Sequence, residues 1–234
     1  MNDDESAGFL AAPDQTARAA RFAKFIPYIQ NIIDTRRAHP QDDIINSFVT
    51  GEVGGRKLTD PEIIQLTIAM MLAGHATTTA AISNFAYRLA EDQDLQAFLR
   101  ANPDRIPDAL EESLRMDAPQ QALLRKCLVD TELGGETIKA GQFVLTNYGS
   151  ANNDPKRFPN PGKFDIDRAG KGHLSFGFGM HQCLGQHLAR LDMRIAIETL
   201  LRETSAITII GPVKRTSYPV LAAVELPLRL EPKA

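Results

Sequence analysis

Tryptophan is missing from this chain of 234 residues, and cysteine occurs only twice, as Cys127 and Cys183. Two cysteines exclude a framework of disulfides, and a single bridge between them is not expected in a reducing compartment. Positive charge is not in excess either, since the formal net charge is -3 at pH 7. Proteins that bind nucleic acid usually carry a strongly basic face, so no nucleic-acid partner is expected.

Long apolar runs and a basic leader are also missing from the sequence. No apolar run approaches the roughly 20 residues that span a membrane. Residues 1–5 are acidic, whereas a secretory signal begins with basic and then apolar residues. The hydrophobic content of 43% and the charged content of 24% are typical of a soluble globular protein. These features predict a cytoplasmic protein without a membrane span.

The pattern of apolar residues predicts a mainly α chain with small β sheets. Residues 1–13 are acidic and small, without periodicity, and are expected to be disordered. Apolar residues between positions 22 and 33 follow helical spacing, and Pro27 is expected to kink or divide that helix. A short helix over 43–48 and a turn over 51–55 follow. We predict one domain over residues 14–234.

Thr59 and Glu62 stand three residues apart with Pro61 between them, which is the pattern of a capping box at a helix start. The helix is predicted to run from about residue 60 to Ala90 and, being apolar on most sides, to be buried. The sequence after it predicts helices near 95–100 and 107–115, short strands over 124–144, an irregular segment over 149–172, a helix over 186–202 and strand hairpins over 206–230.

Residues 176–185 read Phe-Gly-Phe-Gly-Met-His-Gln-Cys-Leu-Gly and come directly before the amphipathic helix. Glycine permits backbone angles that are closed to other residues and lets another group approach closely. The N–H groups and the positive dipole end of the helix favour an anion such as a thiolate. We therefore interpret Cys183 as a functional sulfur and Cys127 as an ordinary small buried side chain.

The residues around Cys183 fit four kinds of site to different degrees. The interpretation as a dinucleotide-binding loop is excluded, because Gln182 stands where a third glycine is needed and no βαβ unit precedes the loop. A zinc site could use His181, Cys183 and His187, but their spacing is atypical and a structural site needs four ligands. A cysteine nucleophile with a histidine base remains open, as does a thiolate ligand to haem.

Two other patterns have both a structural and a functional interpretation. Residues 71–79 of the long helix combine Gly74 with three consecutive threonines, which are poor helix formers. Either the small residues let another helix approach closely, or a threonine hydroxyl bonds back to the helix and opens a groove for a small polar ligand. Glu112 and Arg115 stand three residues apart, and this spacing alone is typical of an ordinary surface ion pair.

Four stretches together resemble the cytochrome P450 superfamily. Residues 176–190 match its haem-binding signature, FGxGxHxCxGxxLAR, at every defined position. Residues 112–115 resemble its ExxR helix motif, and residues 158–168 resemble the segment whose arginine completes that ion network. Residues 73–78 resemble the oxygen-binding groove motif AGxD/ETT. The resemblance covers nearly everything from about residue 17 onward, but only the C-terminal part of a family member.

The resemblance implies the C-terminal part of the cytochrome P450 fold, with a long distal helix and the cysteine loop under haem b (iron protoporphyrin IX). Cys183 would be the proximal ligand of the iron, and His181 and Arg125 would bind the haem propionates. Other residues would line the haem on its proximal side, namely Phe176, Gly177, Gly185 and Ala189. The distal, catalytic residues would be Gly74, His75 and Thr77, whereas Glu112, Arg115 and Arg168 would be structural.

The reaction implied by the resemblance inserts one oxygen atom from O2 into a small organic substrate, with electrons from a ferredoxin-type or flavin donor. Two departures qualify it. Ala76 replaces the usual acidic residue, so we expect altered proton delivery, either through substrate, His75 and water or through use of peroxide. The helices that precede the matched part are absent, so exposed apolar surface is expected. The main alternative is a haem-binding module without catalysis, and a cysteine-dependent hydrolase or transferase is more distant.

Overall fold

The computed structural model describes residues 23–233, without the side chains of residues 169–171, so the disorder predicted for residues 1–13 lies outside it. The described helices are α1 (Ile26–Ala38), α2 (Ile44–Thr50), α3 (Asp60–Glu91), α4 (Gln93–Ala101), α5 (Ile106–Met116), α6 (Tyr148–Asn152) and α7 (Gln186–Glu203). Short 3-10 segments cover Pro103–Arg105, Ile166–Lys171 and Gly179–His181.

The described strands are short: β1 (Glu52–Val53), β2 (Arg56–Lys57), β3 (Ala122–Lys126), β4 (Thr131–Leu133), β5 (Glu136–Ile138), β6 (Phe143–Asn147), β7 (Thr204–Ile209), β8 (Lys214–Thr216), β9 (Ala222–Glu225) and β10 (Leu228–Pro232). They form antiparallel pairs, β1–β2, β3–β6, β4–β5, β7–β10 and β8–β9. The predicted architecture, mainly α with small β sheets, is confirmed.

The chain divides into two compact units, the first ending at Ala76 and the second beginning at Thr77. The single domain over residues 14–234 therefore stays a prediction. In the first unit, Ile29 and Ile33 of α1 form a buried cluster with Ile63 of α3. Pro27 lies in the first turn of α1, where its missing N–H costs nothing, so it begins the described helix rather than kinking or dividing it.

The start of α3 carries the predicted cap. The carboxylate of Glu62 accepts hydrogen bonds from the backbone N–H of Thr59 at 2.8 Å and from its hydroxyl at 2.9 Å. A turn precedes it, where Gly54 and Gly55 have φ of 61° and 79° between β1 and β2. Side chains are strained in this left-handed region, which explains the paired glycines. Both features are local, and both agree with the sequence-based prediction.

The prediction that α3 is buried along its length is wrong. Phe85 and Leu89 in its second half are fully buried, whereas Leu66 and Met71 in its first half are 40% and 39% exposed. The physical reason is that an apolar helix is buried only where other elements pack on it. In the described part of the first unit, the buried apolar cluster includes only the face of α3 at Ile63.

Within residues 23–233, α3 is also the one helix long and apolar enough to cross a membrane. Its most apolar 18-residue window has a mean hydropathy of 1.2 and is 11% buried. A core helix of a soluble protein passes the same test of length and composition, so this is weak support for a span. The absence of a membrane span therefore stays a prediction.

The core of the second unit joins the second half of α3 to α4, α5, α7 and β7. Its buried residues are Ala81, Phe85, Leu89, Ala90, Leu95, Leu99, Ile106, Ala109, Leu110, Leu114, Met193, Ile197, Leu201 and Ile207. Each fully buried Leu, Ile or Phe side chain contributes about 1.5–3 kcal/mol relative to an exposed one. This packing fixes α5 against α7, and these two helices carry most of the candidate site.

The chain after α7 differs in one respect from the predicted series of hairpins. β7 pairs with β10, with Leu228 opposite Ile209, and the β8–β9 hairpin lies within the connection between them. Residues 149–172 are mostly irregular, as predicted, apart from α6 and the 3-10 segment Ile166–Lys171. This irregular segment passes over α5 and becomes important for the site.

Candidate functional site

The loop before α7 is closed by its own backbone hydrogen bonds. The N–H of Cys183 donates to the carbonyl of Phe176 at 2.7 Å, and the N–H of Gly177 donates to the carbonyl of Leu174 at 2.8 Å. Cys183 is exposed and forms no disulfide. The loop therefore presents a free thiol from a backbone that is held at both ends.

Two glycines make this closed loop possible. Gly177 and Gly179 have φ of 70° and 66°, which other residues rarely adopt. A Cβ on Gly177 would also lie 3.1 Å from the carbonyl oxygen of His181, closer than most real contacts. The predicted glycine requirement is therefore met at these two positions.

The helix end beside the thiol is open to an anion. Gly185 is the N-cap of α7 and supplies no side-chain hydrogen bond to the first turn. Ala189 donates its N–H to the carbonyl of Gly185 at 2.9 Å, so the helix is regular from its first turn. Unsatisfied N–H groups and the helix dipole favour negative charge at this position, which suits Cys183 as a thiolate.

The geometry of the described residues does not support a zinc site or a cysteine nucleophile at Cys183. Among residues 23–233, no three His, Cys, Asp or Glu side chains are grouped so as to hold a metal ion, so His181, Cys183 and His187 do not form a zinc site. No described histidine hydrogen-bonds to the thiol of Cys183, although an activated nucleophile needs such a base. A single exposed sulfur is what an axial ligand requires.

Large apolar side chains around the thiol face solvent. Phe178, Met180 and Leu184 are 83%, 92% and 83% exposed, and Leu188 in the first turns of α7 is 62% exposed. Phe176, by contrast, packs against the core of the second unit. An exposed apolar patch of this kind marks a surface that another apolar body covers.

Two basic residues in the second unit have no carboxylate partner in the part of the chain that the structure describes. His181 is exposed, and its ring makes no hydrogen bond there. Arg125 on β3 is half-buried and donates to the carbonyl of Leu124 at 3.0 Å and to the hydroxyl of Tyr148 at 3.4 Å. Both side chains are therefore free to bind carboxylates of a ligand.

The ExxR pair is buried rather than solvated. Glu112 and Arg115 of α5 are 1% and 2% exposed and form two parallel hydrogen bonds of 2.7 and 2.8 Å. Arg168 is 5% exposed and donates to Glu112 at 3.2 Å. The surface-pair interpretation from spacing alone is therefore wrong, because the irregular segment covers this face of α5. The structural network implied by the resemblance agrees with this geometry.

Asn152 connects that network to the cysteine loop, and the sequence analysis missed it. Its carbonyl accepts from Arg115 at 2.8 Å, and its side-chain amide donates to the hydroxyl of Ser175 at 2.8 Å. Its side-chain oxygen accepts from the N–H of Leu174 at 2.7 Å. Asn152 is fully buried, although a polar residue in a segment rich in Asn and Asp reads as surface. No local signal in the sequence identifies it.

The distal motif lies on an uninterrupted helix. α3 is α-helical at every residue through positions 71–79, so the predicted groove does not appear as a change of helix type. Gly74 is exposed, with open space where a Cβ would stand, and His75 and Thr77 are half-buried. Gly74 and His75 lie in the first compact unit, and Thr77 lies in the second with the cysteine loop. Their catalytic roles stay predictions.

The residues of the second unit fit a haem by the chemistry of their side chains. Cys183 offers one sulfur ligand at a helix N-terminus, and the exposed apolar side chains around it match an apolar macrocycle. His181 and Arg125 offer cationic donors for carboxylates on the rim of the ligand. For these residues to hold a haem, the described chain need supply no metal ligand besides Cys183.

Comparisons with known proteins agree on one family. The family model described as Cytochrome P450 matches residues 9–217. Cytochrome P450 109 of Bacillus spizizenii is 42% identical over 180 residues, which are 77% of this chain and 44% of that protein. Steroid C26-monooxygenase of Mycobacterium tuberculosis (strain CDC 1551 / Oshkosh) is 37% identical over 181 residues, which are 77% of this chain and 49% of that protein.

The fold comparison gives the same result. The crystal structure of substrate-free CYP109E1 from Bacillus megaterium has a TM-score of 0.90 at 33% identity, covering 98% of this chain and 63% of that chain. The chain spans about half the length of the curated relatives that it matches. Within that span lie the glycine-rich cysteine loop and the buried network around Glu112, which the resemblance to the family implied. This chain belongs to the cytochrome P450 family.

Proposed function

We propose that this chain is the haem-ligating part of a monooxygenase that transfers one oxygen atom from O2 to a small organic substrate. The observation that carries the proposal is the exposed thiol of Cys183 at the open N-terminus of α7, on a backbone whose N–H donates to the carbonyl of Phe176. Haem b, when bound there, supplies the activation of oxygen and the acceptance of electrons. The protein supplies the ligand, the orientation and the surroundings.

On the proximal side, each predicted residue has a physical task. Cys183 would hold the iron through its thiolate, which the helix N-terminus would stabilise. His181 and Arg125 orient the group through charge-assisted hydrogen bonds to its carboxylates. The remaining predicted residues line its face and keep the loop close, because they are small or apolar: Phe176, Gly177, Gly185 and Ala189.

On the distal side, the chain offers two groups that exchange protons. The hydroxyl of Thr77 and the imidazole of His75 can hold and pass a proton, and Gly74 leaves room beside them. The methyl group of Ala76 can do neither. We therefore infer that protons reach the distal face through His75, substrate and water.

The partners follow from the proposed reaction. Reduction needs a ferredoxin-type or flavin electron donor, and the net charge of -3 gives no support to nucleic acid as a partner. A cytoplasmic location without a membrane span is supported by the second half of α3, where Asn84 is 1% exposed and Arg88 pairs with Asp117. Such buried polar groups are typical of a protein core.

The proposal is tested by loading the chain with haem and recording the spectrum of the reduced, CO-bound protein. Thiolate ligation is expected to shift the Soret band strongly to the red. Product formation is then measured with peroxide, and separately with a ferredoxin-type or flavin reductant. A chain that gives the shifted band without product is the haem-binding module without catalysis, which Ala76 favours as the second candidate. A chain that binds no haem would refute the proposal.

Replacing Ala76 by glutamate is expected to raise the share of reductant that ends in product. The added carboxyl restores an acid one residue before Thr77, on the same helix, and shortens the path for protons. The measurement is product formed per reductant consumed, together with the turnover rate, for haem-loaded protein. An increase of several-fold is expected, which is smaller than the roughly 10²–10⁴-fold that a fully positioned acid–base group supplies.

Ala76→Gln is the matched control, since glutamine has the size of glutamate without an ionisable group. It is expected to leave the coupling at the level of the unmodified chain. If Ala76→Glu also left rate and coupling unchanged, altered proton delivery at position 76 would be refuted. An equal increase in coupling in both variants would show that the larger side chain, and not proton transfer, causes the effect.

A further inference from the structure

A second charged cluster lies beside the cysteine loop, separate from the buried ExxR network. Glu111 of α5 receives two hydrogen bonds from Arg190 of α7, at 2.6 and 3.0 Å. The ring of His173 contacts the same carboxylate at 3.2 Å. Gln186 fixes the other side of the Arg190 guanidinium at 3.1 Å. The arginine is therefore anchored from two helices.

The anchored guanidinium lies against the loop that presents the sulfur. Its carbon is 4.4 Å from the centre of the Phe176 ring, in cation–π contact. Phe176 is the residue whose carbonyl holds the N–H of Cys183 at 2.7 Å. A continuous series of contacts thus runs from Glu111 through Arg190 and Phe176 to the backbone of Cys183.

The charges of Glu111 and Arg190 are stable near neutral pH. Burial would raise the pKa of Glu111, but hydrogen bonds from His173 and Arg190 outweigh it and lower that pKa to about 2. The pKa of Arg190 is raised, chiefly by its hydrogen bonds to Glu111, and attraction to the sulfur of Cys183 adds to the rise. The guanidinium is thus a permanent positive charge beside the Phe176 ring of the loop.

His173 has a defined role in the cluster. Its Nδ1 accepts from the N–H of Ser175 at 3.2 Å, which leaves Nε2 to donate to Glu111. The side chain of His173 is 6% exposed and lies close to the ring of Phe176, with centroids 6.0 Å apart. His173 therefore connects the backbone at the start of the loop to Glu111, the same carboxylate that anchors Arg190.

We propose that Arg190 is a positioning residue for the Cys183 ligand: Glu111 holds its guanidinium on Phe176, and this contact fixes the loop backbone at Cys183 and places a positive charge beside the loop. The inference rests on the proposed haem-binding function. Groups that orient a metal ligand without binding the metal themselves typically change metal affinity about 10–100-fold when removed. A positive charge beside the loop that carries the ligand also favours the reduced form of a bound iron, so its loss is expected to lower the reduction potential.

The test compares three haem-loaded variants with the unmodified chain. Arg190→Met removes the charge and keeps the length, and Arg190→Lys keeps the charge without the planar stacking group. Arg194→Met is the matched control, because Arg194 lies one turn further along α7 and, among the described residues, pairs with Glu198 alone, at 2.6 Å on the surface. Haem affinity, the fraction of reduced CO-bound protein with the red-shifted Soret band, and the reduction potential are measured for each.

Arg190→Met is expected to weaken haem affinity about ten-fold, to reduce the red-shifted fraction and to lower the reduction potential. Arg190→Lys is expected to recover the potential more than the affinity, and Arg194→Met to match the unmodified chain. Thermal unfolding is followed in parallel. If Arg190→Met does not fold, Glu111→Gln is used instead, since it releases the anchor and leaves the arginine in place.

The inference is overturned if Arg190→Met keeps the affinity, the band and the potential, or only lowers the unfolding temperature. It is also overturned if Arg194→Met changes them equally, because the effect would then be general surface charge. A missing red-shifted band in the unmodified chain would refute the proposed function and this inference together. A normal band there that is insensitive to Arg190 would refute this inference alone.

Discussion

Replacing Arg115 by alanine is expected to lower the free energy of unfolding by about 3–5 kcal/mol. The side chain is 2% exposed, and its removal leaves the buried carboxylate of Glu112 with Arg168 as its remaining charged partner. It also leaves the carbonyls of Asn152 and Pro161 without the donors that reach them at 2.8 Å. Domains are typically stable by only about 5–15 kcal/mol, so a loss of this size is a large fraction of the total stability.

The measurement is urea unfolding followed by far-ultraviolet circular dichroism. Arg194→Ala is the control, because its pair with Glu198 is exposed and such pairs contribute well under about 1 kcal/mol. Accumulation of folded Arg194→Ala but not of folded Arg115→Ala would agree with the prediction. A loss below about 1 kcal/mol for Arg115→Ala would show that the buried network does not hold the second unit together.

The contrast between these two arginines shows what spacing alone could not predict. Glu112 and Arg115 have the i, i+3 spacing of many surface pairs, and Arg194 and Glu198 have a similar one. Only the first pair is buried, because residues 158–168 fold over α5. That covering depends on contacts more than forty residues apart, such as the hydrogen bond from Arg168 to Glu112. The resemblance to a family indicated it, but local pattern did not.

Features decided by neighbouring residues were predicted well. The cap of α3 at Thr59 and the glycine turn at Gly54 depend on short-range hydrogen bonds and backbone angles. The cysteine loop belongs to the same class, since Gly177 and the start of α7 set its shape. This is why the sequence alone could single out Cys183 as the candidate ligand.

Features decided by distant partners were not predictable in the same way. The exposure of Leu66 on α3 depends on whether another element packs against that part of the helix. The pairing of β7 with β10 depends on the chain returning to β7 after it has formed the β8–β9 hairpin. Asn152 and Glu111 were missed for the same reason. Each is an ordinary polar residue until the fold brings it to Ser175 or to Arg190. Positioning residues of this kind are found only in three dimensions.

Replacing Cys183 by serine is expected to abolish the red-shifted Soret band of the reduced, CO-bound chain. The serine hydroxyl is not ionised near neutral pH and donates far less electron density to iron than a thiolate. The loop backbone is expected to persist, because the N–H of residue 183 still reaches the carbonyl of Phe176. Haem content, the position of the Soret band and thermal unfolding are measured on the same samples.

Cys127→Ser is the matched control, since it makes the same chemical change at the other cysteine. Cys127 is half-buried and its thiol lies 2.9 Å from the carbonyl of Val129, so a hydroxyl can keep that hydrogen bond. This variant is expected to retain the red-shifted band. Loss of the band in Cys127→Ser, with its retention in Cys183→Ser, would reverse the assignment of the iron ligand. Retention in both would exclude either sulfur and would remove the basis for the proposed function.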